Sequence, residues 1–274
     1  MDSKSLHSKF LSCVSVATDT RKIVPNVLFF ALKGFNFDGN TFALEALKLG
    51  ASYVVIDNAD YYVDQRTIVV SDTLIALQEL ATYHRNYLSI PIIALTGSNG
   101  KTTTKELIHT VLLKKYKTLA TIGNLNNHIG VPLTLLRFTK ETEIGIVEMG
   151  ANHQKEIQFL CQIAQPDYGY ITNFGKAHLE GFGGVEGVIK GKSEMYDYLR
   201  TNNKLAFINL DDTIQKEKSK DITQYSFGLN NNNSDVKITN IEANPMVKIT
   251  FNEITIHSHL IGIYNANNIN AAIT

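Results

Sequence analysis

The sequence predicts an α/β protein of two domains, a small one at 1–89 and a larger one at 90–274 whose sheet is mostly parallel with antiparallel additions. Three observations lead there. At 274 residues the chain exceeds a typical single domain. From residue 90 onward, apolar strand-like runs alternate with helix-like stretches. After Asp211 the pattern changes to short segments of period two.

In the first part, "VLFFAL" (27–32) is an apolar run of strand length, followed by the Gly-rich turn "KGFNFDGN" and a helical pattern over 41–49. "ASYVVID" and "TIVVSD" add two strands. Over 73–88, Leu74, Leu77, Leu80 and Ala81 recur at helical spacing, and Pro91 ends the unit, with a boundary near 89. Then come strand "IIALT", a helix over 101–115, strand "EIGIVEMG", a helix over 154–164, strand "DYGYITN", a helix over 185–200 and strand "KLAFINL". Such alternation builds a sheet covered on both faces, with ligands at the carboxyl ends of its strands. "ITQYSFG", "VKITNIEA" and "VKITFNEITIHSHL" read as the antiparallel part, with "LNNNNSD" as a hairpin loop.

Composition narrows the function. Lys and Arg number 26 and so do Asp and Glu, so no global charge draws the chain to nucleic acid or to an anionic membrane. Cys13 and Cys161 lie far apart, in no metal-ligand spacing, and read as reduced packing residues. The first 22 residues lack an apolar core of signal-peptide length, and no run approaches the ~20 residues of a membrane span. The expectation is a soluble, cytoplasmic protein.

The chemistry starts at "ALTGSNGKTTT" (94–104). General phosphate loops place four residues between the first glycine and Gly-Lys-Thr. Here Leu95 occupies that first position, and only Ser98 and Asn99 separate Gly97 from Gly100. In a strand–loop–helix setting, loop amides from Gly97 to Thr103 and the positive helix end can cradle phosphate, with Lys101 on the outer phosphates and the Thr102 hydroxyl towards Mg²⁺. Glu148 follows "IGIV", at a strand end where a carboxylate can hold the metal or simply be solvated. His178, in "NFGKAHLEGFGG", reads alone as a hydrogen-bonded loop residue as readily as a ligand. Lys192 alone reads as an exposed helix lysine, Asn265 and Asn268 as helix caps, and Asp19-Thr20-Arg21 as a surface turn.

Taken together, "TGSNGKTT", "GNLNNHIGVPLTLLR", "EMGANHQKEI", "NFGKAHLEGFGGVEGVIKGKSEMY" and "GIYNANNINAA" resemble the Mur ligases in order and spacing, and "ATDTRKIVPNVLFFALKGFNFDGNTFALEALKLGASYVVID" resembles a UDP-sugar-binding N-terminal domain of that family. The shorter Gly-x-x-Gly-Lys-Thr loop is the form this family uses. The resemblance implies roles. Residues 1–89 would bind the UDP-substrate, through Asp19, Thr20, Arg21, Lys33 and Gly34. Residues 90–274 would form the ATP-binding domain, with Asn265 and Asn268 near the adenine. Asn124, Asn126 and Asn127 of "GNLNN", with Asn152 and His153, would border the UDP-muramoyl substrate and the reacting phosphate. Glu148 would hold Mg²⁺, His178 a second metal, and Lys192 would be carbamylated, which turns a cation into an oxygen anion able to ligate Mg²⁺. Gly191 stands where the family has alanine.

The function so implied is ATP-dependent addition of D-alanyl-D-alanine to UDP-N-acetylmuramoyl-tripeptide in peptidoglycan precursor synthesis. Rival readings are another acid–amino-acid ligase such as a folylpolyglutamate synthase, a small-molecule P-loop kinase and a non-catalytic nucleotide-binding module. The family also has a C-terminal domain that closes over ATP, whereas "NINAAIT" falls within the central domain, so poor ligation by these residues alone is expected.

Overall fold

The structure, a computed structural model, describes residues 1–176 and 178–274. It divides into two compact units, Met1–Ser89 with His128–Thr139, and Ile90–Asn127 with Lys140–Thr274. Residues 128–139, which lie inside the predicted 90–274 domain, pack instead with the first unit.

The first unit runs α1 (Ser3–Leu11), β1 (Ser15–Ala17), β2 (Val27–Phe30), β3 (Lys33–Gly34), β4 (Phe37–Asp38), α2 (Ala43–Lys48), β5 (Tyr53–Ile56), β6 (Thr67–Val69) and α3 (Thr73–Leu88). Strands β1-β2-β5-β6 form a wholly parallel sheet. All four residues of β2 are buried, because a parallel strand covered on both faces has no polar side. Helix α3 starts where the Asp72 carboxylate accepts from the Ile75 amide and stops at Ser89 in a left-handed conformation. Its Ala76, Leu77, Leu80, Ala81 and His84 form the buried stripe. Against it packs the helix Gly130–Leu135, with Val131 and Leu135 wholly buried. Helix α1 escaped the sequence reading because its apolar face is only Leu6 and Phe10, completed by His7.

That histidine makes a pH-sensitive contact. His7 Nε2 lies 2.9 Å from His84 Nδ1, and His84 Nε2 lies 2.9 Å from the Phe138 carbonyl. A carbonyl only accepts, so His84 donates from Nε2 and accepts at Nδ1, and His7 donates from Nε2. Burial first, and His84 second, push His7 down to about 4 from its usual 6.5. Between those pH values the unfolded chain binds a proton that the folded chain refuses. Stability is therefore complete above pH 6.5 and falls towards pH 4, by at most about 1.4 kcal/mol per pH unit for one proton. Thermal melts at pH 7 and pH 5 should show this loss, and His7→Leu should flatten it; an unchanged slope in the variant excludes His7 as the source.

The second unit runs β7 (Ile92–Thr96), α4 (Lys101–Leu112), β8 (Thr118–Ala120), β9 (Ile144–Glu148), α6 (Glu156–Ala164), β10 (Tyr168–Ile171), α7 (Leu179–Phe182), α8 (Val185–Thr201), β11 (Leu205–Asn209), α9 (Thr213–Lys218), β12 (Thr223–Leu229), β13 (Val236–Ala243), β14 (Met246–Phe251), β15 (Ile254–Ile261) and α10 (Asn265–Ile273), the Gly130–Leu135 helix being α5. The sheet order is β15-β14-β13-β12-β11-β10-β7-β9-β8. β7 is thus central, between β10 and β9, with Leu95 level with Glu148 and Thr96 level with Ile171. The loop after β7 and the ends of both neighbours consequently lie side by side.

Two strands differ from the expectation of an antiparallel addition. β12 and β13 extend the parallel sheet, and among the described residues of this sheet only β13-β14 and β14-β15 are antiparallel. The six-residue helix α9, too short to show an apolar stripe, supplies the crossover from β11 to β12. The Asn run is not a hairpin. It doubles back so that Phe227 of β12 lies beside Val236 of β13 in parallel. A hairpin turn lies instead at Asn252-Glu253, both at positive φ (46° and 65°), which splits "VKITFNEITIHSHL" into β14 and β15. No helix among the described residues is long and apolar enough to cross a membrane.

Candidate phosphate- and cation-binding site

The loop 97–100 is shaped by its two glycines. Gly97 has φ 141° and lies directly against Thr172, leaving no room for a Cβ, while Gly100 has φ 79° and opens α4. The loop is pinned to the end of β10: Asn99 N donates to Asn173 Oδ1 (3.1 Å), Thr172 Oγ1 to the Asn99 carbonyl (2.5 Å), and Ser98 Oγ to the Gly175 carbonyl (2.8 Å). Thr172 and Asn173 were not singled out in the sequence, where "ITN" reads only as a strand end. The Lys101 ammonium folds back onto the loop, donating to the carbonyls of Gly97 (2.8 Å) and Ser98 (3.4 Å). Burial lowers its pKa, against an opposing pull from Glu148. It is a half-buried cation held by its own loop, which an anion can claim.

Glu148, at the end of β9, is buried. Its amide donates to Thr121 Oγ1 (3.0 Å), and its Oε1 accepts from Asn126 Nδ2 (2.8 Å) and Thr102 Oγ1 (3.3 Å). Its Oε2 is buried without a hydrogen-bond partner among the described residues. A buried carboxylate oxygen kept open beside a loop threonine suits a hard divalent cation, which takes oxygen ligands. Asn126, expected to border substrate, thus spends its amide on Glu148. Gly150 permits this, since a Cβ there would meet Asn126 Oδ1 at 2.7 Å. Asn124 shares the turn, accepting from the Asn126 amide (2.8 Å), and Asn127 follows at its end.

Lys192 is buried on α8, donates weakly to the Ala151 carbonyl (3.4 Å) and sits 5.2 Å from the Phe182 ring centroid. Burial first, then Lys101, push its amine down to about 8, with Glu156 and Glu194 opposing. Such a group is neutral far more often near neutral pH than an ordinary lysine. Gly191 matters here, because a Cβ at this position would stand 2.5 Å from the Phe182 ring, so alanine would push that ring from its seat beside Lys192.

Glu148 thus acts on Lys101, and Lys101 in turn on Lys192. His178 precedes α7 in a left-handed conformation (φ 54°), exposed, and its imidazole makes no hydrogen bond or ion pair among the described residues. Among the described residues no group of three or more His, Cys, Asp and Glu is placed to hold a metal. Proximity in "GKAHLEGF" does not aim a side chain when the turn at 178 sets its direction. Nor do Asn265 and Asn268 point outward from α10. Asn268 accepts from Thr104 Oγ1 (3.0 Å) and donates to Asn265 Oδ1 (2.9 Å), both asparagines being buried, so they lock α10 to α4 behind the loop. The amides of Asn152 and His153 are tied to Glu156 Oε2 (2.6 and 3.1 Å). Glu194 accepts from the amides of Lys155 (2.6 Å) and Gln158 (3.0 Å), which fixes the loop beside Lys192.

In the first unit, Asp19 caps the turn Thr20–Lys22 and grips the Arg21 guanidinium at 2.7 Å. Lys33, at the start of the β3-β4 hairpin with Gly34, pairs with Asp57 at 2.8 Å, and the same carboxylate oxygen accepts from Asn40 (2.8 Å).

Comparison with known proteins finds matches to both parts of the chain. The family model described as "Mur ligase middle domain" matches residues 95–274, and "Mur ligase family, catalytic domain" matches 13–85. The UDP-N-acetylmuramoyl-tripeptide--D-alanyl-D-alanine ligase of Bacillus subtilis (strain 168) is 38% identical over 260 residues, covering 94% of this chain and 57% of the relative. A crystal structure of MurF from Acinetobacter baumannii superposes with TM-score 0.85 at 32% identity, covering 99% of this chain and 63% of that one. MurF ligase from Thermotoga maritima in complex with ADP gives TM-score 0.83 at 29% identity, covering 96% and 62%. The chain thus spans between 57% and 63% of the length of these three relatives.

Proposed function

Because this chain belongs to the Mur ligase family, we propose that it forms the UDP-substrate- and ATP-binding part of a cytoplasmic, ATP-dependent ligase that joins D-alanyl-D-alanine to UDP-N-acetylmuramoyl-tripeptide. One observation carries the reading: the glycine loop that holds Lys101 adjoins a buried acid, Glu148, with one open oxygen and the Thr102 hydroxyl beside it.

A carboxylate is a poor acyl donor, so the tripeptide's terminal carboxylate first attacks the γ-phosphoryl group of ATP. The P–O bond to ADP breaks and an acyl phosphate forms. The amine of D-alanyl-D-alanine then adds to the acyl carbon, phosphate leaves, and the nitrogen's proton is lost to water. Lys101 leaves its loop carbonyls for the outer phosphates, where its charge offsets the approach of two anions. Thr102 and Glu148 would hold Mg²⁺, which when bound supplies charge neutralisation on the phosphates. Lys192 adds through its neutral amine to CO₂, forming an N–C bond and losing one N–H proton to water, which leaves a carbamate anion where the unmodified side chain carries a cation. Arg21 and Lys33 in the first unit offer cations to the UDP diphosphate.

The test is ADP release with each substrate omitted in turn. Dependence on both UDP-tripeptide and D-alanyl-D-alanine, with an amide product, is expected. ADP formed with one small substrate and no amide would instead identify a kinase.

A further inference from the structure

Lys105 has no part in the mechanism above, yet it is the most costly side chain near it. It lies four residues beyond Lys101 and three beyond Thr102 on α4, hence on the same helix face, and it is fully buried. Burying an ammonium is unfavourable unless its charge is used, and an apolar residue would fill the space without that cost. Its Nζ donates to the Thr121 carbonyl at 2.7 Å and pairs with Glu106 at 2.9 Å. It also lies 3.9 Å from Glu148 Oε2, the oxygen with no hydrogen-bond partner among the described residues. That distance is too long for a hydrogen bond but short for a Coulombic attraction between buried groups.

We propose that Lys105 is the resident counter-ion of Glu148, a positioning residue that steadies the acid while no divalent ion is held and opposes the ion when one binds. This rests on the reading of Glu148 as the acid that holds the cation. Thr121 ties the pair together: its carbonyl fixes the ammonium and its hydroxyl accepts from the Glu148 amide (3.0 Å). With Oε1 engaged by Asn126 and Thr102, only Oε2 is open, and Lys105 stands beside it. Glu106, whose side chain is 60% exposed, shares the ammonium and so tempers its hold on Glu148. Lys105 thereby sets how tightly the site takes a cation, since each charge it withdraws from Glu148 weakens the acid as a ligand.

The probe is Mn²⁺. Bound ion is measured by electron paramagnetic resonance on the 274-residue protein without nucleotide, at constant ionic strength, alongside melting temperature with and without the ion. Lys105→Met is expected to bind Mn²⁺ at least about tenfold more tightly than wild type, since an opposing charge close to the ligand is gone. Its melting temperature without metal should fall and be recovered by Mn²⁺. Glu106→Gln, on an exposed position, should bind about threefold more weakly, because Lys105 is then left to Glu148 alone. Equal or weaker binding by Lys105→Met overturns the proposal; should that variant fail to fold, an unchanged affinity in Glu106→Gln overturns it. Glu148→Gln separates the two readings. If wild type binds no more Mn²⁺ than Glu148→Gln, the cation-site reading falls and this inference with it. If Glu148→Gln loses the ion but Lys105→Met and Glu106→Gln match wild type, only the counter-ion role is wrong.

Discussion

Replacing Lys101 by methionine is expected to weaken ATP binding by roughly 10- to 100-fold while leaving the fold intact. The estimate follows from the ~1.5–3 kcal/mol that a hydrogen bond to a charged group contributes. In the free chain the ammonium is half-buried, donates to the Gly97 and Ser98 carbonyls, and has its pKa lowered by burial. Its charge is therefore held at a cost that phosphate oxygens would offset. Methionine has nearly the same length and no charge, so the melting temperature should hold or rise even as the affinity falls. Isothermal titration with ATP and Mg²⁺ decides the matter. An affinity within twofold of wild type would mean that Lys101 does not reach the phosphates.

Gly100→Ala is expected to cost about 3 kcal/mol and to lower the melting temperature of the second unit by roughly 6–12 °C. Two costs add. An L-residue at φ 79° is disfavoured by about 1–2 kcal/mol, and the new methyl would stand 2.5 Å from Asn268 Oδ1. Asn268 cannot give way freely, because it accepts from Thr104 and donates to Asn265. Gly100→Ala combined with Asn268→Ala removes the collision but not the backbone strain. The double variant should therefore be less unstable than the sum of the two single ones. Strict additivity, or a Gly100→Ala melt within 2 °C of wild type, would show that the loop relaxes without disturbing α10.

Much of the fold was legible because the signals were local. The 73–88 helix carries its own cap and apolar stripe, and the strands around the loop are short apolar runs bounded by polar turns. What failed was long-range or short. β12 reads the same from sequence whether it pairs parallel or antiparallel, since period two reports burial and not the partner's direction. The segment 128–139 has no composition shift to mark that it packs with the first unit.

By itself, the sequence determined the strands and helices that flank the glycine loop (β7, α4, β9, α6, β10, α8 and β11), the loop residues Gly97 to Thr103, and Glu148 as a strand-end acid, because local periodicity and residue type suffice for each. Only the tertiary structure decided which of these meet. It set Glu148 level with Leu95 across β7 and β9, turned Asn268 inward against Gly100, left His178 exposed, and buried Lys105 beside an open carboxylate oxygen. The reason is physical: where a side chain points, and which charge stands behind it, depends on neighbours brought in from distant parts of the chain by the packing of sheet and helices.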